Sequence, residues 1–418
     1  MQRSVGWLPP LAFALLVFLA IDNYGASPNG YNRQVAGYVF VAAATLLVGA
    51  MISERRLHIG RRRLFWTCAF AASVAVSLWG TPNLYWSLNR IHLYYGVLLL
   101  GVALYPLHAG SVGSALGKYL FLVPLVHVVF LAHVVFWVVS MQAGPDLPPT
   151  GSPHYANIRH FAYHGFIAAA CATSLFVVAR KLQATAFVLT TAALFGIILL
   201  GGRGALAAWL AFVAVMLVFS ARRTSLPVFS GMALLVSAGV VYFLGATELV
   251  RAPSLFYRFE SGAGRVLYVA DRLEVWAQSA GAILQRPWFG YGPEGFALSG
   301  CCNRALLQPH NFVLQFLLEF GVIGCTLLTV LCAVVWRECG GLRAFAGNRW
   351  SEAPREFVIL AAILVAFLAY ALIDGLLYHA IPLVHFALFV ALFLGAMQER
   401  LTRQAGLLDP AAATPSAG

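Results

Sequence analysis

The sequence predicts an all-α integral membrane protein with about twelve transmembrane helices and one helical extramembrane segment between the ninth and tenth. Three observations carry this. Apolar residues make up 61% of the chain and charged residues 10%, against ~45–50% and ~25% in soluble domains. The apolar residues fall into runs of the ~17–25 residues needed to cross the hydrocarbon core. The basic residues are distributed unevenly between alternate connections, as an excess of Lys and Arg in cytoplasmic loops requires.

The spans are expected roughly at 8 to 24, 34 to 53, 64 to 80, 91 to 107, 117 to 141, 159 to 179, 183 to 200, 204 to 220, 226 to 246, 310 to 336, 357 to 378 and 381 to 398. The first reads as a retained span, since no small-residue cleavage site follows it before Asn23. The apolar stretch 183 to 220 would reach ~55 Å as one helix, beyond a ~30 Å core, so Gly201-Gly202-Arg203-Gly204 must divide it. The chain then divides into helices one to nine over 1–246, an outer helical segment over 247–309, helices ten to twelve over 310–400 and a disordered cytoplasmic tail over 401–418. That tail is rich in Ala and Pro after Gly406.

With the N-terminus inside, 17 of the 27 basic residues fall on cytoplasmic segments, among them Arg55, Arg56, Arg61, Arg62 and Arg63. Six of the other ten, Arg251, Arg258, Arg265, Arg272, Arg286 and Arg304, lie in the single long outer segment, and no Lys is outside. The net charge of +12 is therefore a topology signal and a match to anionic inner-leaflet lipid, with no implication of nucleic acid. Guanidinium without ammonium suits planar, bidentate recognition of an oxyanion. Pairing with Glu248, Glu260, Asp271, Glu274 and Glu294 is the structural alternative for these arginines.

Candidate chemistry gathers on the outer side. Arg203 lies in a tight glycine turn that makes a good anion nest, although a snorkelling interfacial Arg would look the same. Arg265 to Arg286 reads as one amphipathic helix, with Val266, Val269, Leu273, Trp276, Ala277, Ala280 and Leu284 on its apolar face and Arg265 and Arg272 pointing inward. Pro309 reads as a first-turn residue of the tenth span, and Asn311 can bond backbone at the helix start. His310 then feels the positive helix terminus, which favours a neutral, proton-accepting ring. Intramembrane carboxylates are functional candidates by default. Asp374 lies on the same side as His310 and is preferred to Glu319.

Other features read more plainly. His160 and His164 have i, i+4 spacing without a partnering Glu or Cys, so they read as boundary histidines rather than metal ligands. Cys301 and Cys302 are the outer cysteines, and an adjacent pair rarely bridges without distortion. The early outer connections are aromatic and polar, with Asn89 and Arg90 in the second; their Trp and Tyr read as interfacial anchors, with stacking against a sugar as the alternative.

Arg203 in its short outer turn, Arg272 one turn before Trp276, Pro287 to Gly292 with its Gly-x-Gly, and His310-Asn311 followed by Glu319-Phe320-Gly321-Val322-Ile323-Gly324 resemble the O-antigen ligase and polymerase superfamily. The resemblance covers about 130 residues. It implies a GT-C-like, metal-independent glycosyltransferase without cofactor, in the inner membrane of a bacterium, with its active site facing the periplasm. The implied donor is a glycan on undecaprenyl diphosphate and the ligase branch's acceptor is lipid A-core. The resemblance implies that Arg203, Arg272 and His310 are catalytic; beside them Arg265 and Asn311 are expected at the donor diphosphate, with Asp374 and Trp276 in support. The Gly-Gly-Arg-Gly turn departs from members with serine before the arginine.

The residues agree with this chemistry. No Asp-x-Asp occurs on the outer side to hold Mg²⁺, and paired Arg can stabilise a leaving diphosphate electrostatically, while one base takes the acceptor proton. His310 orienting the donor is the alternative role. A repeat-unit polymerase or a protein-directed transferase shares the motifs. A lipid-linked sugar transporter should instead have polar residues along several spans.

Overall fold

The computed structural model describes residues 6–22, 60–108, 110–140, 161–219, 225–247, 265–300, 306–341 and 354–408, with positions 42 and 45. The described residues form helices and no strand: α1 (Leu8–Asp22), α2 (Arg61–Ser77), α3 (Leu84–His108), α4 (Val112–Ser140), α5 (Phe161–Val178), α6 (Gln183–Leu199), α7 (Arg203–Phe219), α8 (Ser225–Ala246), α9 (Arg265–Gln285), α10 (Gly295–Leu298), α11 (Phe312–Glu338), α12 (Arg355–Ile373) and α13 (Ala380–Leu408). Nine helices among them are long and apolar enough to cross a membrane, and the shorter apolar helices Leu8–Leu19 and Arg203–Phe219 fall at the first and eighth expected spans. The second expected span lies outside the described residues apart from positions 42 and 45, as do Cys301, Cys302 and His160. Helix α13 runs on to Leu408, into the stretch expected to be a disordered tail.

The bundle has two distinct ends. At one, Arg63 of α2 pairs with Glu338 of α11, Glu399 accepts the Val112 N–H at 2.9 Å and Lys118 lies 5.2 Å over the Trp7 ring. At the other, the starts of α5, α7 and α11 meet the C-terminus of α12. This alternation follows the expected order of spans. Within the bundle α5 is the innermost helix, buried from Phe161 to Val177.

Gly201, at φ +70, closes the turn between α6 and α7. A Cβ on Gly202 would come 2.6 Å from the Ala162 Cβ, and one on Gly204 2.6 Å from Tyr370. The glycines thus let the Arg203 turn press against α5 and α12, which explains the Gly-Gly-Arg-Gly spacing.

Helix α11 is broken within its span at Gly321 (φ 64, ψ −174), and the break explains the two glycine motifs. An intact helix would bond Val322 N–H to Leu318 O and Ile323 N–H to Glu319 O. Here Val322 N–H donates to Pro287 O at 2.7 Å and Ile323 N–H to Trp288 O at 3.1 Å. Leu318 O accepts from Tyr291 N–H at 2.8 Å and Glu319 O from Gly292 N–H at 2.9 Å. The four backbone groups of these two rungs are thus paired with the loop Pro287–Gly292, as a low-dielectric setting demands.

Two expectations are corrected here. Helix α11 starts at Phe312 with Asn311 as its N-cap, the side chain accepting from Val313 N–H and Leu314 N–H. Pro309 therefore precedes the helix and His310 stands just outside it. Helix α9 forms as expected, but it buries Val275, Ser279 and Ala282, while Leu273 is 57% and Leu284 79% exposed. Both stripes are small or apolar, and packing selects the one with the smaller side chains, which lets α9 approach α11 closely.

Close contact across the break makes a test. A Cβ on Gly290 would fall 2.4 Å from Leu318 O, at φ +68, whereas nothing lies within 4 Å of one on Gly231. Gly290→Ala is expected to destabilise the protein by ~3 kcal/mol or more, and Gly231→Ala to be neutral within ~1 kcal/mol. Thermal unfolding of the purified variants in detergent checks this, and equal midpoints would contradict the docking of the loop on α11.

Candidate active site

His310, Asp374 and Arg272 converge from three segments. Asp374 is the C-cap of α12 and has left helical geometry (φ −152, ψ 169), so its carboxylate turns out of the helix toward its neighbours. His310 Nδ1 lies 2.8 Å from Asp374 Oδ1. Arg272 donates from Nη1 to Ile373 O and brings Nη2 to 3.7 Å from Asp374 Oδ2. The Arg272, Asp374 and His310 side chains are 19%, 17% and 23% exposed, open to a ligand yet shielded enough for charge interactions to exceed their strength in bulk water.

The chain around His310 is held tightly. Its backbone is left-handed, φ +56, an uncommon state for a non-glycine residue that surrounding structure must enforce. Gln308 enforces it, accepting the His310 N–H at Oε1 over 2.8 Å. The Gln308 side chain in turn needs Gly375, where a Cβ would lie 2.0 Å from Gln308 Nε2. Trp276 of α9 donates from Nε1 to Pro309 O at 2.9 Å, and Asn311 donates from Nδ2 to Leu372 O at 3.0 Å. These two bonds tie the segment before α11 to both α9 and α12.

Gln308 Nε2 also lies 3.1 Å from His310 Nδ1. An amide nitrogen donates and a carboxylate accepts, so Nδ1 cannot serve both. The shorter, charge-assisted contact to Asp374 assigns the proton to Nδ1. That tautomer leaves Nε2 as the acceptor, the atom a general base uses. The expectation of a ring governed by the helix terminus is thereby amended: the nearest electrostatic partner of His310 is a carboxylate.

Burial alone would raise the Asp374 carboxyl. The hydrogen bond and charge of His310, the Arg272 charge and the Gly375 N–H outweigh it and hold Asp374 below its ordinary value. Tyr163 O–H also donates to Asp374 Oδ1, at 2.9 Å. Tyr163 packs edge-on against Tyr370, with centroids 5.5 Å apart, and Tyr370 touches the Arg203 turn at Gly204. Arg203 is thus placed at the same end of the bundle, at the N-terminus of α7. The side chain of Arg265 lies outside the described residues.

Other candidates separate from this site. Glu319 is fully buried and accepts from Gln315 Nε2 at 3.1 Å, Tyr94 O–H at 3.2 Å and Glu294 N–H at 3.2 Å. Arg90, expected in an outer connection, is 1% exposed; its Nε lies 2.8 Å from Glu294 Oε1 and its guanidinium 3.8 Å from the Tyr378 ring centroid. This network joins α3, α11 and the loop, and it is structural. His164, expected at a boundary, is buried with its Nδ1 3.4 Å from His127 Nδ1. Sequence reasoning passed over Tyr163, Gln308 and Arg90 as participants. Gln308 carried a faint signal in its place beside Pro309-His310-Asn311.

Linkage gives a test of the Asp374 environment. A carboxyl lowered in the folded state contributes stability above its unfolded value, ~3.9, and loses it as pH falls through the lower folded value. Acidification below about pH 4 is therefore expected to destabilise the wild type more steeply than Asp374→Asn. Parallel melting-temperature curves for the two proteins between neutral pH and pH 3 would refute the assignment.

No curated protein sequence matches the chain. Residues 185–329, the stretch carrying Arg203, Arg272, His310 and the break in α11, match the O-antigen ligase family model, a similarity over that segment that supports the resemblance to the O-antigen ligase and polymerase superfamily.

Proposed function

We propose that this end of the bundle is the active site of an O-antigen ligase. It transfers a polysaccharide from undecaprenyl diphosphate to the lipid A-core oligosaccharide, with inversion and without a metal ion. The observation that carries the reading is the convergence of His310 and Arg272 on Asp374. A base and a cation beside one carboxylate suit a displacement in which a hydroxyl loses a proton while a diphosphate departs.

In the proposed step, His310 Nε2 removes the proton as the acceptor oxygen attacks the anomeric carbon, and the bond from that carbon to the diphosphate breaks. The departing diphosphate takes up the negative charge. Arg272 and Arg203 stabilise it there, with Arg265 and Asn311 at the same subsite. Asp374 holds the imidazole in its proton-accepting tautomer and Trp276 fixes the preceding chain. The donor's lipid stays in the bilayer, so a site at one end of the spans lets the diphosphate reach it. The arginine distribution supports a periplasmic location for that end, in the inner membrane of a bacterium.

Purified protein with defined donor and acceptor should remain active in EDTA. His310→Ala should lower transfer by ~10²–10⁴-fold. Arg203→Lys and Arg272→Lys should fail to restore activity, because an ammonium lacks the bidentate fork. Loss on chelation reversed by Mg²⁺, or near-normal transfer by His310→Ala, would sink this mechanism. A null strain should keep polymerised lipid-linked glycan while its lipopolysaccharide lacks the polymer. Failure to polymerise would favour the polymerase branch.

A further inference from the structure

Asp374 Oδ1 receives three contacts: His310 Nδ1 at 2.8 Å, Gly375 N–H at 2.8 Å and Tyr163 O–H at 2.9 Å. Oδ2 faces Arg272 at 3.7 Å. The carboxylate plane therefore decides two alignments at once, that of the base and that of the cation. His310 and Arg272 are the groups being aligned, and Gly375 is the residue next in the chain. Tyr163 is the contact to Asp374 from a separate, deeply packed helix.

Its own position is firmly set. Tyr163 is 5% exposed, near the start of α5, whose residues are buried through Val177. Its ring packs against Tyr370 at 5.5 Å and lies 5.1 Å from the His379 ring. Tyr370 in turn fills the space left by Gly204 beside Arg203. We infer that Tyr163 is a positioning residue of the transfer reaction: its hydroxyl fixes the rotation of the Asp374 carboxylate, and through Tyr370 its ring links that carboxylate to the Arg203 turn. This rests on the proposed glycosyl transfer.

Among the described residues, the charged and titratable groups around the carboxylate are Arg272 from α9, His310 from the segment before α11, Tyr163 itself from α5, Tyr370 of α12 and His379 beyond it, with Arg203 behind Tyr370. Removing the tyrosine hydroxyl takes one donor from Oδ1. The carboxylate then attracts the His310 proton more strongly and is freer to rotate away from the geometry that aligns it.

The test is a pH profile of transfer by purified full-length protein, comparing wild type, Tyr163→Phe and 3-fluorotyrosine at position 163, with His310→Ala as control. Tyr163→Phe keeps the ring packing. It should lower kcat by roughly ten- to a hundredfold, leave KM for the lipid diphosphate nearly unchanged, and move the acidic limb of the kcat profile to higher pH. Fluorotyrosine, a stronger donor of the same shape, should move that limb to lower pH. A purely structural role would reduce the folded fraction without moving the limb. Unchanged kcat and limb in Tyr163→Phe overturn the inference. Should that variant not fold, an unmoved limb in the fluorotyrosine protein overturns it as well. If wild type shows no transfer, or His310→Ala is active, the proposed function fails instead.

Discussion

A transmembrane helix cannot leave backbone groups unpaired in hydrocarbon, and that constraint at Gly321 organises the site. The break in α11 removes two rungs of its ladder, and the loop Pro287–Gly292 supplies a partner to all four freed groups. The same loop is the C-terminal continuation of α9, which carries Arg272 and Trp276, while α11 begins one residue after Asn311 and two after His310. Docking the loop on the break therefore fixes α9 relative to the start of α11. Trp276 then bonds Pro309, and Arg272 reaches Asp374. The glycines at 290 and 321 are a requirement of this exchange, since each presents backbone where any Cβ would collide.

Once those segments are fixed, the charges arrange themselves around Asp374. A partly exposed carboxylate holding an imidazole, a guanidinium, a phenol and a backbone N–H has its negative charge fully used within the protein. Arg272 presents its Nη2 to that carboxylate at the longer distance of 3.7 Å. This arrangement orients the imidazole and the guanidinium in addition to the pH-dependent stability that the lowered carboxyl contributes.

How much of this could be read from the sequence follows from what stands out in an apolar chain. The spans that fall within the described residues, α9 and the N-cap at Asn311 were legible, because a charged residue or a glycine turn interrupts a hydrophobic run; the candidates His310, Arg272 and Asp374 lie together in the fold. The buried face of α9 was not. In a soluble protein Leu273 and Leu284 would point inward, but beside a bilayer apolar character no longer distinguishes inside from outside. Tyr163 and Gln308 are neutral and common at helix ends, and only the fold brings them to Asp374 and His310. Arg90 was legible only as a residue of an outer connection, because Glu294, its partner, is remote in sequence.

The stretch from Asp374 to Tyr378 connects the two polar systems of the molecule. At one end Asp374 faces the exposed site. At the other, Tyr378 accepts from Arg90 Nη1 at its backbone carbonyl over 2.8 Å and donates its hydroxyl to Glu294 at 2.7 Å. Asp374 lies past the last turn of α12 in extended geometry, so the helix alone does not set its direction. The short 3-10 turn Leu376–Tyr378 does so from the other side, anchored in a network that is buried throughout. Removing one member of such a network leaves an uncompensated charge in low dielectric, a large penalty. Its rigidity is therefore available to hold the carboxylate in place, and the polar residues deepest in the bundle serve those at its mouth without touching a substrate.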